Sequence, residues 1–566
     1  MVTTFDEEKQ KKQLDDLRRE EEEQLVQVLA ESKYNMPYID MSRLGVDNEG
    51  LRAIDEKEAR DLKVGPFKLS GKKIFIAVLS PSKELLSKLK EEMERKNLVP
   101  SFFMASHFSI NKIWERYKEV SMAEGSKAGG IDIEGDILRE TAKSIQKMQD
   151  IANLIKGAME GSQTHKISHI LEIILAGAIS IKASDVHIEA EAERGRLRMR
   201  LDGVLQDVMF FGHDVYHLLN SRIKLISGMK LTSTIAQDGR FSIQEGTDEL
   251  SIRSSLIPGA YGESIVMRIL DPKSIQVNLE DMGIENFLFS IIQEEIAKPN
   301  GLILITGPTG SGNTTTLYAF LRKIYSPEIK IITIEDPIEY HLAGVTQTQT
   351  NEEKGYTFLE GLRSALRQDP DVIMVGETRD AETAKIAVES ALTGHLVFST
   401  LHTNNAAGVI PRLIDLDVNA KILVSALSLS IAQRLVRKLC VNCKKEKTPS
   451  EKESEIMKLV IDSIKEEGKD LRKYNIDPDA PFKLYEAVGC EKCNMTGYKG
   501  RMGIFEAIKT DEAIEKIIPQ NPSEREIKKI ARGQGILSMR QDGMVKIING
   551  ITSFEEVQSV VDLKEE

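Results

Sequence analysis

The chain has 566 residues, too many for one domain, so roughly three or four are expected. With 41% hydrophobic and 29% charged residues it has a globular profile, not that of a disordered chain, and no apolar run approaches the ~20 residues of a membrane helix. Its formal net charge of −12 argues against broad nucleic-acid affinity, which needs a basic face, and its charged N-terminus lacks a signal-peptide core.

Residues 1–36 are rich in Asp, Glu, Lys, Arg and Gln with interspersed leucines. They read as a charged helical tail, either solvated or partner-binding, broken at Pro37. Residues 37–118 read as a small α/β docking domain. Lys72 to Ser82 alternates into a strand that stops at Pro81, and a helix follows with Leu85, Leu86, Leu89 and Met93 on one face. Residues 119–163 are a linker with a helix in it. In residues 164–284 a helix precedes a strand at Ser184 to Glu189. A hairpin then turns at Asp202-Gly203, and further strands break at Gly259 and Gly262. Arg240, Arg253 and Arg268 lie on these strands, where an arginine is either a solvated surface residue or a functional cation.

Residues 285–566 carry the chemistry. The apolar run Gly301 to Thr306 predicts a buried strand, followed by Gly307, Pro308, Thr309, Gly310, Ser311 and Gly312, then Asn313, Thr314 and Thr315 at the start of a helix. This is the phosphate-loop pattern G-x-x-x-x-G-K-[ST], with Asn313 where Lys belongs. Glycines let successive backbone N–H groups face phosphate oxygens, and the helix N-terminus adds partial positive charge. The Thr314 hydroxyl suits Mg²⁺. A second predicted strand ends in Glu335, Asp336 and Glu339, and a third, Val372 to Val375, runs into Gly376-Glu377. A fourth carries His395 and His402, which read either as sensors or as structural residues. Strands alternating with helices imply βαβ units and a largely parallel sheet, with ligands at the carboxyl ends of its strands. Glu377 suits the metal's hydration shell, and Glu339 suits polarising water.

Cys440-x-x-Cys443 and Cys490-x-x-Cys493 read as a closed tetrahedral zinc site, with a redox dithiol as the alternative.

Together these segments resemble the bacterial type II secretion and type IV pilus assembly ATPases. "GPTGSGNTTTLY" is similar to that family's Walker A box, "ITIEDPIEY" to its Asp box, "RQDPDVIMVGETRD" to its Walker B box and "TGHLVFSTLHTN" to its His box. "QRLVRKLCVNC" and "GCEKCNMTGYKGRMGIFE" resemble its tetracysteine motif, and "SDVHIE", "RLDGVL", "QDGR" and "YGESIVMRIL" its upstream half. The resemblance implies a RecA-like P-loop core behind a PAS-like α/β half and a small α/β N-terminal domain. It implies a cytoplasmic homohexamer that uses ATP, Mg²⁺ and Zn²⁺ and works on an inner-membrane platform protein, with no direct membrane span and no nucleic acid. It assigns Glu339 as general base, Glu377 as the Walker B glutamate, His395 and His402 as His-box residues, and Arg240, Arg253 and Arg268 as arginine fingers. The zinc motif and extra N-terminal domain fit the assembly type. Two residues depart from the family pattern: Thr378, which replaces an aliphatic residue, and Asn313. Asn313 leaves three readings: an engineered trap, a degenerate subunit or a compensated site. Hydrolysis is expected to be impaired. A non-hydrolysing scaffold of the same machine is the alternative, and a nucleic-acid translocase the weaker one.

Overall fold

A computed structural model describes residues 22–41, 46, 48–51, 53–70, 72–96, 98–121, 141–142, 144–160, 166–231, 235–245, 248–270, 277–477 and 481–564. Most of the expected tail, and residues 122–140 of the expected linker, lie outside the described residues. Contacts group the chain into two units. One holds Met1–Glu134, Asp214–Gln244 and Ser254–Ile265; the other holds Gly135–His213, Glu245–Arg253 and Val266–Glu566.

The N-terminal helix ends at Tyr34, and Asn35, with φ 48°, turns the chain out of it just before Pro37. A three-stranded sheet follows in the order β1 (Val64–Ser70), β2 (Lys73–Val78), β3 (Val99–Met104). The first pair is antiparallel and the second parallel. The parallel crossover is α1 (Lys83–Arg95), whose N-cap Ser82 accepts the Leu85 N–H at 3.2 Å and which buries Leu89 and Met93. Helix α2 (His107–Ser121) is fixed by Trp114, whose indole N–H donates to the Val64 carbonyl at 2.9 Å.

Helix α3 (Met148–Glu160) buries Ile151, Ala152 and Ile155. It packs so closely on α4 (Lys166–Ser180) that a Cβ on Gly177 would lie 2.6 Å from Ile151 Cδ1. Next come β4 (Asp185–Ala190), β5 (Gly195–Leu201) and β6 (Val204–Phe211). Asp202 and Gly203, with φ 48° and 90°, make the positive-φ turn that the Asp-Gly pair announces between β5 and β6. Helix α5 (His213–Ile226) leads to β7 (Gln237–Glu245), β8 (Asp248–Gly259) and β9 (Gly262–Leu270). The resulting six-stranded sheet has the order β6-β5-β4-β9-β8-β7.

After α6 (Asn286–Ile296) comes the P-loop core. Its strands are β10 (Gly301–Thr306), β11 (Ile331–Glu335), β12 (Thr346–Gln349), β13 (Val372–Val375), β14 (Leu396–Leu401), β15 (Leu427–Leu439) and β18 (Tyr498–Lys509). Their order is β12-β11-β13-β14-β10-β15-β18. Every neighbouring pair is parallel except β15 with β18. β10, β11, β13 and β14 are buried along their whole length, which is why their apolar residues come in near-continuous runs and do not alternate with exposed polar ones. Helices α7 (Asn313–Ile324), α8 (Phe358–Leu366) and α9 (Ala381–Leu392) supply crossovers. Between β15 and β18 the chain inserts a two-stranded sheet of β16 (Lys445–Lys447) and β17 (Leu484–Glu486), with α10 (Glu451–Glu466) between them in sequence.

Gly239 in the "QDGR" segment tests this packing. A Cβ there would lie 2.2 Å from the Ser227 carbonyl oxygen, which already accepts the Arg240 N–H at 3.3 Å. Backbone cannot yield as a flexible side chain does. Gly239→Ala is therefore expected to cost about 1–3 kcal/mol, read as a lower chemical-denaturation midpoint; an unchanged midpoint refutes the close approach.

Candidate active site

β10 ends at Thr306, whose hydroxyl lies 2.8 Å from the Leu401 carbonyl, 2.9 Å from the Thr403 carbonyl and 2.8 Å from the Thr403 hydroxyl, and accepts the Thr403 N–H at 2.8 Å. The loop Gly307–Gly312 leaves from this fixed point. Gly310 and Gly312 have φ of 83° and 91°. At Gly307 a Cβ would sit 2.6 Å from both the Gln433 carbonyl oxygen and Ser311 Oγ, so the loop closes only on glycine. Pro308, Thr309 and Thr314 are exposed and Thr315 is half-buried. Asn313 opens α7, and its Oδ1 accepts the Ser311 hydroxyl at 2.8 Å. Buried Thr316 donates to Gln433 Oε1 at 2.7 Å. Gln433, on β15 and 3% exposed, thus braces the loop from behind. It stands far from the loop in sequence and in no motif that the chemistry required, so only the parallel pairing of Thr306 with Ala432 brings it there.

Because the strands are parallel, their carboxyl ends share one edge of the sheet. Glu377 follows β13; its side chain, 13% exposed, pairs with Arg379 at 2.6 Å and with His402 Nε2 at 3.4 Å. His402 follows β14 directly. Thr378 is buried, its hydroxyl 2.8 Å from that of Ser399, which gives the departure from an aliphatic residue a structural use. Glu339 lies beyond β11 and accepts from Arg253 Nη1 at 3.1 Å, while Arg253 Nη2 donates to the Ile338 carbonyl.

Several expected site residues fall elsewhere. His395 precedes β14: its Nδ1 lies 2.9 Å from the Ser390 carbonyl, and its own carbonyl accepts the Gly301 N–H at 3.2 Å. It therefore stands at the opposite end of the sheet from the loop, because seven residues of extended strand span about 23 Å. Glu335, read as part of the acidic cluster, is 2% exposed and fully engaged inside the core. Arg253 and Arg268 are held by carboxylates. Arg253 holds Glu339. Arg268 Nε donates to Asp185 at 3.0 Å, and Arg200 lies 3.2 Å from the same carboxylate. Burial pushes the Asp185 carboxyl up, but the bonds from Arg268 and Ser184 and the two positive charges outweigh it and hold it below the usual range. Arg240 is exposed on β7.

The four cysteines do converge, with all Sγ atoms within 4.8 Å of one another. Separations of 3.9 Å (Cys440 to Cys490), 3.8 Å (Cys443 to Cys493) and 3.7 Å (Cys490 to Cys493) match the ~3.8 Å expected of sulfurs about 2.3 Å from a tetrahedral ion. They far exceed a disulfide bond. The Cys490 and Gly497 N–H groups point at Cys493 Sγ at 3.1 and 3.2 Å. Against burial, these bonds hold the Cys493 thiol low, while burial and bonds to the other sulfurs push the Cys443 thiol up. All four positions are filled by protein, so zinc here would be structural.

Among the described residues no helix is long and apolar enough to cross a membrane. The sequence profile of the family described as "Type II/IV secretion system protein" matches residues 160–559. Type II secretion system protein E of Pseudomonas aeruginosa is 43% identical over 403 residues, 71% of this chain and 77% of that protein. Type IV pilus assembly ATPase PilB of Myxococcus xanthus is 34% identical over 542 residues, 95% of this chain and 91% of that protein. The X-ray structure of the Legionella pneumophila ATPase DotB shares the fold, with a TM-score of 0.51 at 23% identity over 69% of this chain and 95% of that one.

The cysteine geometry predicts one zinc per chain by elemental analysis. Cys490→Ser is expected to lose it and to unfold at lower temperature; full retention of zinc contradicts a four-thiolate site.

Proposed function

Because this chain belongs to the type II/IV secretion system protein family, whose members are ATPases, we propose that it is a hexameric motor that hydrolyses ATP to drive assembly of a pilus or pseudopilus from pilin-type subunits. It would work at the cytoplasmic face of the inner membrane through a platform protein, with residues 37–118 as docking domain, 164–284 as the first half of the motor and 285–566 as the second. The observation that carries this reading is the shared edge of the parallel sheet, where the Gly307–Thr314 loop, the Glu377–His402 pair and Glu339 follow strands that all end on the same side.

In this reading the loop amides and the α7 N-terminus bind the phosphates. Mg²⁺, held through the Thr314 hydroxyl, would supply charge neutralisation at the β- and γ-phosphates. Glu377 would orient waters of the metal's hydration shell, with His402 placed 3.4 Å from its second oxygen. Glu339 accepts the proton of the attacking water once Arg253 turns from it to the phosphate. Arg240 and Arg268 would likewise act as arginine fingers on the γ-phosphate. Cys440, Cys443, Cys490 and Cys493 would hold zinc and so tie the two ends of the insert together.

Asn313 is the weak point. A unit charge ~4 Å from a phosphate oxygen is worth about 4 kcal/mol at an effective dielectric of ~20, or about a thousandfold in rate. The Ser311–Asn313 bond keeps the loop closed without the lysine. That favours a second reading in which this chain binds nucleotide and joins the ring as a non-hydrolysing scaffold.

Asn313→Lys is expected to raise phosphate release about 10²–10³-fold; no rise removes this account of the defect. The unaltered chain is expected to bind Mg-ADP and sediment as a hexamer. Failure of both overturns the motor reading.

A further inference from the structure

Glu335 costs free energy where it stands, because a carboxylate 2% exposed must be matched by donors. Thr333 Oγ1 donates at 2.5 Å, Gln347 Nε2 at 3.0 Å, and the third donor is the Tyr318 hydroxyl. Tyr318 is fully buried on α7, the helix that the phosphate loop opens. Burial, and then the charge of Glu335, pushes its hydroxyl far above the usual range, so it stays a donor.

Gln347, on β12, reaches further. Its Nε2 also lies 3.3 Å from the Tyr318 hydroxyl and 3.1 Å from the Tyr340 carbonyl, and its Oε1 accepts the Leu342 N–H at 2.7 Å. Tyr318 and Tyr340 meet edge to face with centroids 4.7 Å apart. The segment after Glu339 is thus gripped by one side chain at two backbone groups and by one ring, and both grips lead to α7. An apolar pair of equal volume would pack this space at lower cost but could not fix an irregular segment by its backbone groups.

We propose that Tyr318 and Gln347 are positioning residues that couple occupancy of the phosphate loop to the placement of Glu339. When phosphate draws the first turn of α7 inward, Tyr318 moves with it, the Glu335–Gln347 bonds carry the shift to Tyr340, and Glu339, one residue away, follows. The proposal rests on Glu339 as the water-orienting base. Displacements near 1 Å matter there, because misplacement of that size costs up to about a hundredfold.

Hydrogen exchange of the full chain, read by mass spectrometry with and without Mg-ADP, tests it. In the parent, ADP is expected to slow exchange of both 307–316 and 338–342. In Tyr318→Phe, which keeps the ring, and in Gln347→Leu, ADP is expected to slow only 307–316. A merely structural role would speed exchange of 338–342 with or without ADP and leave the ADP response intact; that response, surviving in both variants, overturns the proposal. So does a parent in which 307–316 responds and 338–342 does not. If 307–316 does not respond in the parent, the nucleotide site itself falls, and the coupling with it. In the Asn313→Lys background, Tyr318→Phe is expected to lower kcat about tenfold while KM for ATP stays within about twofold. With Glu339→Gln lowering kcat as the control, an unchanged kcat in Tyr318→Phe overturns the coupling; an unchanged kcat in Glu339→Gln overturns the role of Glu339 instead.

Discussion

The parallel ladder through β13, β14 and β10 decides where every other part of the core site falls. Thr306 stands opposite Leu401, and Val375 opposite Ser399, so the chain leaves all three strands on the same edge within a few residues. Each of these strands is buried on both faces, and a slip of one residue would turn each side chain to the other face, against a different helix layer. The Thr306 hydroxyl then pins two strand ends together at the point where the loop begins. A loop that must hold several amides on one small anion needs a rigid root, and a hydroxyl with partners on both sides provides one.

The parts of this arrangement that were legible from residues are those that depend on local rules. Continuous apolar runs marked the central strands, Gly310 and Gly312 marked a loop with positive φ, and Asp202-Gly203 marked a hairpin. Illegible were the features that depend on which end of a strand a residue occupies and on what faces it across the sheet. His395 and His402 bracket the same strand, so nearness in sequence meant distance in space. Glu335 and Glu377 both sit at strand ends in acidic segments; one turns into the core toward Tyr318 and the other toward Arg379 and His402. Gln433 carries no signal at all until β15 is paired with β10.

The arginines show the same limit in electrostatic form. A guanidinium in an alternating strand carries no record of its partner. On β4 and β5, Asp185 faces Arg200 and lies 3.2 Å from it, and Glu189 accepts from Arg198 at 2.6 Å, so these carboxylates are paired before any ligand is present. Arg268 joins this set at Asp185, and Arg253 is spent on Glu339. An arginine that leaves a carboxylate for a phosphate exchanges one charged partner for another, so only the difference between the two bonds is gained. In the proposed mechanism this exchange would be sensitive to geometry, and it would free the Glu339 lone pairs only as phosphate takes the arginine.

Asn313 changes this balance in one direction. The bond from Ser311 leaves the backbone cradle standing, and with it the attraction of the loop amides and the helix end for phosphate. A lysine ammonium would add to that attraction in the bound state, but it matters more as charge builds on the transferring group, where no other fixed cation of the loop stands. Removing it therefore separates two properties that the loop normally supplies together. In the proposed motor, binding would keep the contribution of several amides and lose one charge, whereas turnover would lose the charge at the step that needs it most. Such a chain would therefore, in the proposed motor, still bind nucleotide at the loop while turning it over slowly.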